Sequence, residues 1–216
     1  MESNGILSKV FSWMFIGLIV TFLTGYVVSI NETMLINVLS SGALWVILIT
    51  ELALVIILSA RIHKMQAITA KICFLLYAFV SGLTFSSIFV VYNLGSIMYV
   101  FLITAAIFGV FALLGAKTKL DLSSLGTYLM MALFAVIICL IINIFTASTT
   151  FDLIISIVTV LIFIGFTAYD VQKILRLNED NALPEENLAI YGALELYLDF
   201  INIFLELLKY FGENKD

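Results

Sequence analysis

Long, charge-poor apolar runs recur from one end of this chain to the other. A bilayer core is about 30 Å thick and an α-helix rises about 1.5 Å per residue, so about 20 apolar residues are enough to cross it. We therefore predict an all-α membrane protein with seven transmembrane helices. The predicted spans are, to within a few residues, 10–30, 34–58, 72–92, 96–116, 123–146, 151–172 and 187–211.

The composition leaves little room for a soluble alternative. Hydrophobic residues make up 63% of the 216 residues, charged residues 12%, and the mean hydropathy is +1.18. A soluble domain could not bury so much apolar surface. We find no internal repeat and no segment that reads as a second domain, so residues 1–216 are predicted to form one transmembrane domain. The excess of acidic over basic residues argues against nucleic-acid binding.

Basic residues predict the orientation. They fall at the N-terminus or in alternate predicted loops, and the intervening loops have none, which places the N-terminus in the cytosol. Lys209 and Lys215 disagree, because seven crossings would put the C-terminus outside. A re-entrant last segment is the alternative. The basic residues that agree are Lys9, Arg61, Lys64, Lys71, Lys117, Lys119, Lys173 and Arg176.

The last predicted helix has a narrow polar stripe. Glu195, Asp199, Asn202 and Glu206 fall within an arc of roughly 60° on a helical wheel. An intramembrane carboxylate costs about 2.5–3.5 kcal/mol on insertion scales, so the stripe is expected to face other helices or water. We therefore predict that this helix is central. For Glu206, near the interface, a surface pair with Lys209 is the simpler expectation.

Two other helices place acids near the cytosolic side. Asp170 closes the sixth predicted helix and is expected within one or two turns of Asp199, while Glu51 lies in the second. Arg61 and Lys173 are the nearest counter-charges. Simpler alternatives exist: Asp170 as a helix-end residue among the headgroups, and Glu51 in a salt bridge to Arg61.

Three segments resemble the Bax inhibitor-1 family. They are Ala193-Leu-Glu-Leu-Tyr-Leu-Asp-Phe-Ile-Asn-Ile-Phe204, Ala168-Tyr169-Asp170, and the stretch from Glu51 to Met65 that ends in Ala-Arg-Ile-His-Lys-Met. The resemblance implies six helices around a central seventh. It also implies a pH-sensitive calcium leak channel with Asp170 and Asp199 as the pH sensor and Glu51 and Arg61 as a gate or latch. The short N-terminus favours a bacterial member in the plasma (inner) membrane.

The paired acids suggest a mechanism. Two carboxylates held together in a low dielectric tend to share one proton, so Asp170 and Asp199 would link the last two helices when they share it and attract a cation when they do not. Calcium prefers oxygen ligands, and the candidates are Asp170, Asp199 and Glu195. We expect calcium as a transported or bound ion and no other cofactor.

The same acidic residues also suggest other functions. Paired aspartates on successive helices also occur in intramembrane aspartyl proteases, but Leu196-Tyr197-Leu198 precedes Asp199 instead of a glycine-flanked motif, and a Pro-Ala-Leu element is absent. We therefore expect no enzyme activity. A non-conducting regulator of a membrane protease or cell-death pathway, with membrane-protein partners, stays open. So does a proton-coupled cation exchanger; in each case the bilayer, calcium ions and protons are the expected surroundings.

Overall fold

The computed structural model describes residues 2–215, and the side chains of these except at residues 2–4 and 41. Within that range, seven helices are long and apolar enough to cross a membrane, which confirms the predicted all-α fold and the number of spans. A short helix, α2, and a 3₁₀ turn at Ile62–Lys64 complete the helical structure. The helices are α1 Glu2–Ser29, α2 Glu32–Leu39, α3 Ser41–Arg61, α4 Ala67–Val91, α5 Leu94–Lys117, α6 Ser123–Thr146, α7 Thr149–Glu179 and α8 Glu185–Phe211.

The second predicted span is divided in the structure. Helix α2 ends at Leu39, Ser40 takes an extended conformation with φ −57° and ψ 141°, and α3 begins at Ser41. Serine and glycine in Ser40-Ser41-Gly42 favour such an interruption over a continuous helix. The predicted start at residue 34 was therefore wrong, and the crossing is made by Gly42–Lys64.

Helix α8 is the most enclosed of the spans. In its most apolar window 72% of the residues are buried, against 6% for α3 and for α6. It packs against α1, α4, α5 and α7, whereas α3 packs mainly against α4 and α6 mainly against α7. The polar-striped helix is thus lodged in the bundle as its carboxylates require. Six helices arranged all around it remains a prediction.

The contacts at both ends of α8 show that it runs the full length of the bundle. At its start, the Asn187 side-chain amide donates to the carbonyls of Ile62 and Met65, at 2.8 and 2.9 Å, in the α3–α4 connection. Beyond its end, the Lys215 backbone N–H donates to the Val91 carbonyl at 2.8 Å, next to the α4–α5 loop. These loops lie at opposite ends of α4, so the re-entrant alternative was wrong.

Ion pairs and hydrogen bonds join helix ends and a loop at the end of the bundle where Asn187 lies. Lys9 contacts Glu185, and Lys71 contacts Glu186, each at 2.8 Å. In the α5–α6 loop, the Ser123 backbone N–H donates to Asp121 at 2.9 Å. That bond is the main reason that the pKa of Asp121 is lowered to about 2, with the Arg176 guanidinium, 2.6 Å away, acting in the same direction. The loop is thereby held against the end of α7.

Glycine allows α5 and α7 to touch along their backbones. A Cβ atom added at Gly115 would lie 2.8 Å from the Cα of Ala168 and closer still to its carbonyl oxygen, so no larger residue fits without a shift. Small residues at such crossings are typical of helix packing in membranes. This close approach sets the separation of α5 and α7 at Ala168, two residues before Asp170.

Candidate functional site

Polar side chains line both sides of the contact between α7 and α8. On each helix they are separated by one turn (three or four residues) or by two turns (seven or eight residues), which places them on one face. The two faces meet along an interface that runs the length of both helices. We call this contact the polar seam. Its members on α7 are Asp152, Ser156, Thr159, Thr167 and Asp170, and on α8 they are Glu195, Asp199, Glu206 and Lys209.

We call the end of the seam that lies nearer to Asn187 its inner end, and the opposite end its outer end. The inner end holds three carboxylates and one lysine, which we call the inner cluster. Asp170 and Asp199 are only 3% and 4% exposed. The Lys173 Nζ atom lies 3.8 Å from Asp170 Oδ1 and 4.0 Å from Glu195 Oε1. Asp199 lies within electrostatic reach of Asp170 and Glu195. Its Oδ2 atom has no hydrogen-bond partner among the described residues, which is costly for a buried carboxylate.

These positions decide between the alternatives for Asp170. Helix α7 continues to Glu179, and the Asp170 side chain is buried inside the bundle, so the headgroup alternative was wrong. The predicted calcium ligands Asp170, Asp199 and Glu195 do come together, yet the described residues form no group arranged to hold a metal ion. Lys173 supplies the positive charge among them instead. Calcium binding by these three side chains remains a prediction.

Glu51 lies on a different side of α8, facing α4. Its Oε1 atom accepts a hydrogen bond from the Thr84 hydroxyl at 3.2 Å. Arg61 is exposed at the end of α3, about 15 Å further along the helix axis. In the described structure it forms no ion pair with Glu51 or with the inner carboxylates. The salt-bridge alternative was wrong, and the latch role of Glu51 and Arg61 stays a prediction.

The outer end of the seam differs from the expectation for Glu206. Lys209 Nζ contacts Asp152 Oδ2 at 2.5 Å, and the Tyr210 hydroxyl donates to the same carboxylate at 2.9 Å. Glu206 Oε2 is enclosed without a partner among the described residues. The predicted Glu206–Lys209 pair was therefore wrong. The sequence analysis overlooked one signal here. Asp152, Ser156 and Thr159 are four and three residues apart, which indicates a polar face on α7.

A buried hydroxyl network behind α8 was also missed. Tyr197 Oη lies 2.7 Å from Thr21 Oγ1 and donates to Ser81 Oγ at 3.2 Å, which ties α8 to α1 and α4. The Thr21 hydroxyl in turn donates to the Ala78 carbonyl at 2.9 Å. A tyrosine inside an apolar run gives no sequence signal for its partners, because they come from helices distant in the chain.

The chain is similar to known proteins over nearly its whole length. The family model described as "Inhibitor of apoptosis-promoting Bax1" matches residues 3–216. The chain belongs to the Bax inhibitor-1 family. An uncharacterized protein of Borreliella burgdorferi is 38% identical over 99% of this chain and 94% of its own length. The inner membrane protein YbhL of Escherichia coli K12 is 39% identical over 97% and 92%. An uncharacterized protein of Deinococcus radiodurans is 35% identical over 97% and 90%.

In this Bax inhibitor-1 family protein, the segments that carried the resemblance have distinct places. Residues 193–204 belong to the enclosed stretch of α8, and Asp170 faces them from α7. The segment that begins at Glu51 lies on α3, at the edge of the bundle. The family and the seven helices together establish a multi-pass membrane protein of bacterial type.

Proposed function

We propose that this protein is a pH-sensitive calcium leak channel of a bacterial inner membrane, with Asp170 and Asp199 as its sensor. The observation that carries the proposal is the inner cluster: two buried carboxylates on facing helices, one oxygen of Asp199 unpartnered, and Lys173 as the neighbouring cation. The relative YbhL is named an inner membrane protein, which supports the location. The proposal assigns no catalytic residue.

Charge balance gives the sensor its physical basis. When all are ionised, Asp170, Asp199, Glu195 and Lys173 carry three negative charges and one positive charge. Two negative charges in excess are costly in a low dielectric, so a proton shared between Asp170 and Asp199 stabilises the contact between α7 and α8. At higher pH this proton leaves, the two helices repel one another, and the carboxylate oxygens attract a hard cation.

The outer half of the seam supports a route to the other side. Ser156 and Thr159 are buried on α7, and Glu206 offers an enclosed oxygen on α8. These groups supply oxygen atoms between the inner cluster and the Lys209–Asp152 pair. An ion that enters the seam therefore meets oxygen ligands along the helices, in place of apolar side chains alone.

Flux measurements on purified protein test the proposal. Protein reconstituted in liposomes should pass calcium at a rate that varies severalfold between pH 6 and pH 8. Asp199→Asn cannot share the proton in the same way and should flatten this variation. Asp180→Asn, in an exposed loop, is the matched control and should keep the wild-type pH profile.

The other outcomes point to the two remaining functions. A preparation that passes no calcium at any pH would overturn the leak channel and favour a non-conducting regulator of a protease or cell-death pathway. Calcium movement that requires an opposing proton gradient, and that acidifies or alkalinises the lumen in proportion, would favour a proton-coupled exchanger. Both alternatives use the same buried carboxylates, so the flux stoichiometry separates them.

A further inference from the structure

A cavity lies on a side of α8 different from the one that carries the polar seam. Its volume is about 580 Å³, within the range of small-molecule sites, and it is bounded by α3, α4 and α8. Its walls on α8 include Ile201 and Leu205, which point away from the face that carries Asp199. Leu48 and Leu52 on α3 border it and are 41% and 62% exposed, so the cavity opens sideways toward lipid. We call it the lateral cleft.

The polar groups of the lateral cleft are concentrated around one carboxylate. Glu51 is half-buried there, with Thr84, Ser87 and Asn202 among the residues that line the same cleft. The side-chain nitrogen of Asn202 donates to the Leu198 carbonyl at 2.7 Å, which leaves the side-chain oxygen of Asn202 available as an acceptor. The described lining residues include no lysine, arginine or histidine. The cleft therefore offers acceptors and a negative charge, surrounded by apolar walls.

The depth of Glu51 restricts the source of a ligand. Glu51 lies ten residues before Arg61 at the end of α3, so it is about 15 Å, or half the hydrocarbon thickness, from that end. Phospholipid headgroups stay at the interface and do not reach this depth. A ligand for Glu51 must instead dissolve in the hydrocarbon region and carry a donor into it.

We propose that the lateral cleft binds an amphiphilic amine that enters from the bilayer. The amine nitrogen would lie beside the Glu51 carboxyl, and one proton would be shared between nitrogen and oxygen as a charge-assisted hydrogen bond. The remaining N–H groups would donate to the Asn202 side-chain oxygen and the Thr84 hydroxyl. The apolar chain would lie along Ile201 and Leu205 and leave through the opening between α3 and α8.

This ligand class accounts for both halves of the cleft. An uncharged lipid chain would bury its apolar surface but would add no donor to the Thr84 and Ser81 hydroxyls that already lie beside Glu51. A bare metal ion would meet one carboxylate and would lie against apolar walls, which suits a divalent cation poorly. A cationic nitrogen on an apolar chain satisfies the carboxylate and the walls together.

Equilibrium binding of radiolabelled dodecylamine to the full chain in lipid nanodiscs tests the proposal. We expect saturable binding, with dodecanol and laurate competing at least tenfold more weakly than unlabelled dodecylamine. Glu51→Gln should weaken the binding at least tenfold, and Ile201→Trp should also weaken it, because the larger side chain occupies part of the space for the apolar chain. Glu32→Gln, which removes an exposed carboxylate in the first turn of α2, should bind like the wild type.

A second measurement on the unmodified protein avoids reliance on the variants' folding. Dicyclohexylcarbodiimide is apolar and adds to protonated carboxyls reached from lipid, forming a stable N-acylurea without a leaving group. Glu51 should be labelled, as read by mass spectrometry, and dodecylamine should protect it. If dodecanol binds as tightly as the amine, if Glu51→Gln binds normally, or if calcium alone protects Glu51, the proposal is overturned. Calcium flux is not needed for either readout, so this site and the proposed leak are tested separately.

Discussion

Lys173 determines the charge of the inner cluster. Its ammonium group lies between Asp170 and Glu195, and it is 32% exposed, so it can reach toward the end of the bundle while its stem stays inside. It also lies 5.0 Å from the centre of the Tyr191 ring. A cation held by two carboxylates and an aromatic face is well placed to keep the contact between α7 and α8 closed.

Replacing Lys173 by methionine should destabilise the protein by about 1–3 kcal/mol, between the values for an exposed pair and for a fully buried pair, because the lysine is partly exposed. The loss should be larger at pH 8 than at pH 5, since protonated carboxyls need no counter-charge. Unfolding in detergent measures this. Lys9→Met breaks an exposed pair and should change stability by less than about 0.5 kcal/mol. An equal loss at both pH values would contradict the charge argument.

The sequence predicted the positions of some residues of the site and not of others. Asp170 and Asp199 could be placed in the interior because a carboxylate in an apolar span has few other solutions. The partner of Lys209 could not, because Glu206 is close in sequence but Asp152, its actual partner, belongs to another helix. Pairings between helices depend on the rotation of each helix, which the spacing of residues leaves undetermined.

Among the helices, the crossing of α5 with α7 depends on a single small residue. Gly115 brings the two backbones together beside Ala168, just before Asp170 in the chain. In the same helix, Gly109 has open space where a Cβ would lie. The pair gives a direct comparison of packing against helix propensity, because both positions are glycines within α5.

Gly115→Ala should lower the thermal stability, because the overlap with Ala168 costs about 1–3 kcal/mol and exceeds the helix propensity gain of about 1 kcal/mol. Gly109→Ala should be neutral or stabilising. Heating followed by size-exclusion chromatography of the remaining monodisperse protein compares them. A Gly115→Ala protein as stable as Gly109→Ala would show that the two helices are free to separate at no cost.

For the helices, the positions of the membrane spans were predictable from the sequence and their ends were not. Hydropathy located all seven crossings within residues 2–215, since the bilayer fixes their length. The interruption at Ser40 escaped because α2 is apolar too and differs from the span only in its connection. Helix α7 extends beyond the predicted end at residue 172 because its last turns are held by contacts with the α5–α6 loop, such as Arg176 with Asp121.

For the whole molecule, one end carries most of the basic residues and the other carries few. Lys9, Lys71 and Arg176 all form ion pairs at the same end of the bundle. The helix ends and loops on that side of the bundle therefore carry several ion pairs. The positive-inside rule predicts that this end faces the cytosol.

Cysteine labelling in intact bacterial cells tests this orientation. With Cys73 and Cys139 replaced by alanine, a membrane-impermeant maleimide should label Glu32→Cys in intact cells. It should label Lys119→Cys only after permeabilisation. Both positions are exposed, so accessibility within the fold is matched. Labelling of Lys119→Cys in intact cells would reverse the predicted orientation, and the proton gradient would then act on the inner cluster from the other side.

The backbone bonds between the C-terminal tail and the α4–α5 loop have a consequence for biosynthesis. Residues 213–215 can join Val91 and Asn93 only once α8 has inserted beside α4, because α8 leads directly into these residues. The bonds therefore form late in the assembly of the bundle, after the span that carries the intramembrane carboxylates is in place.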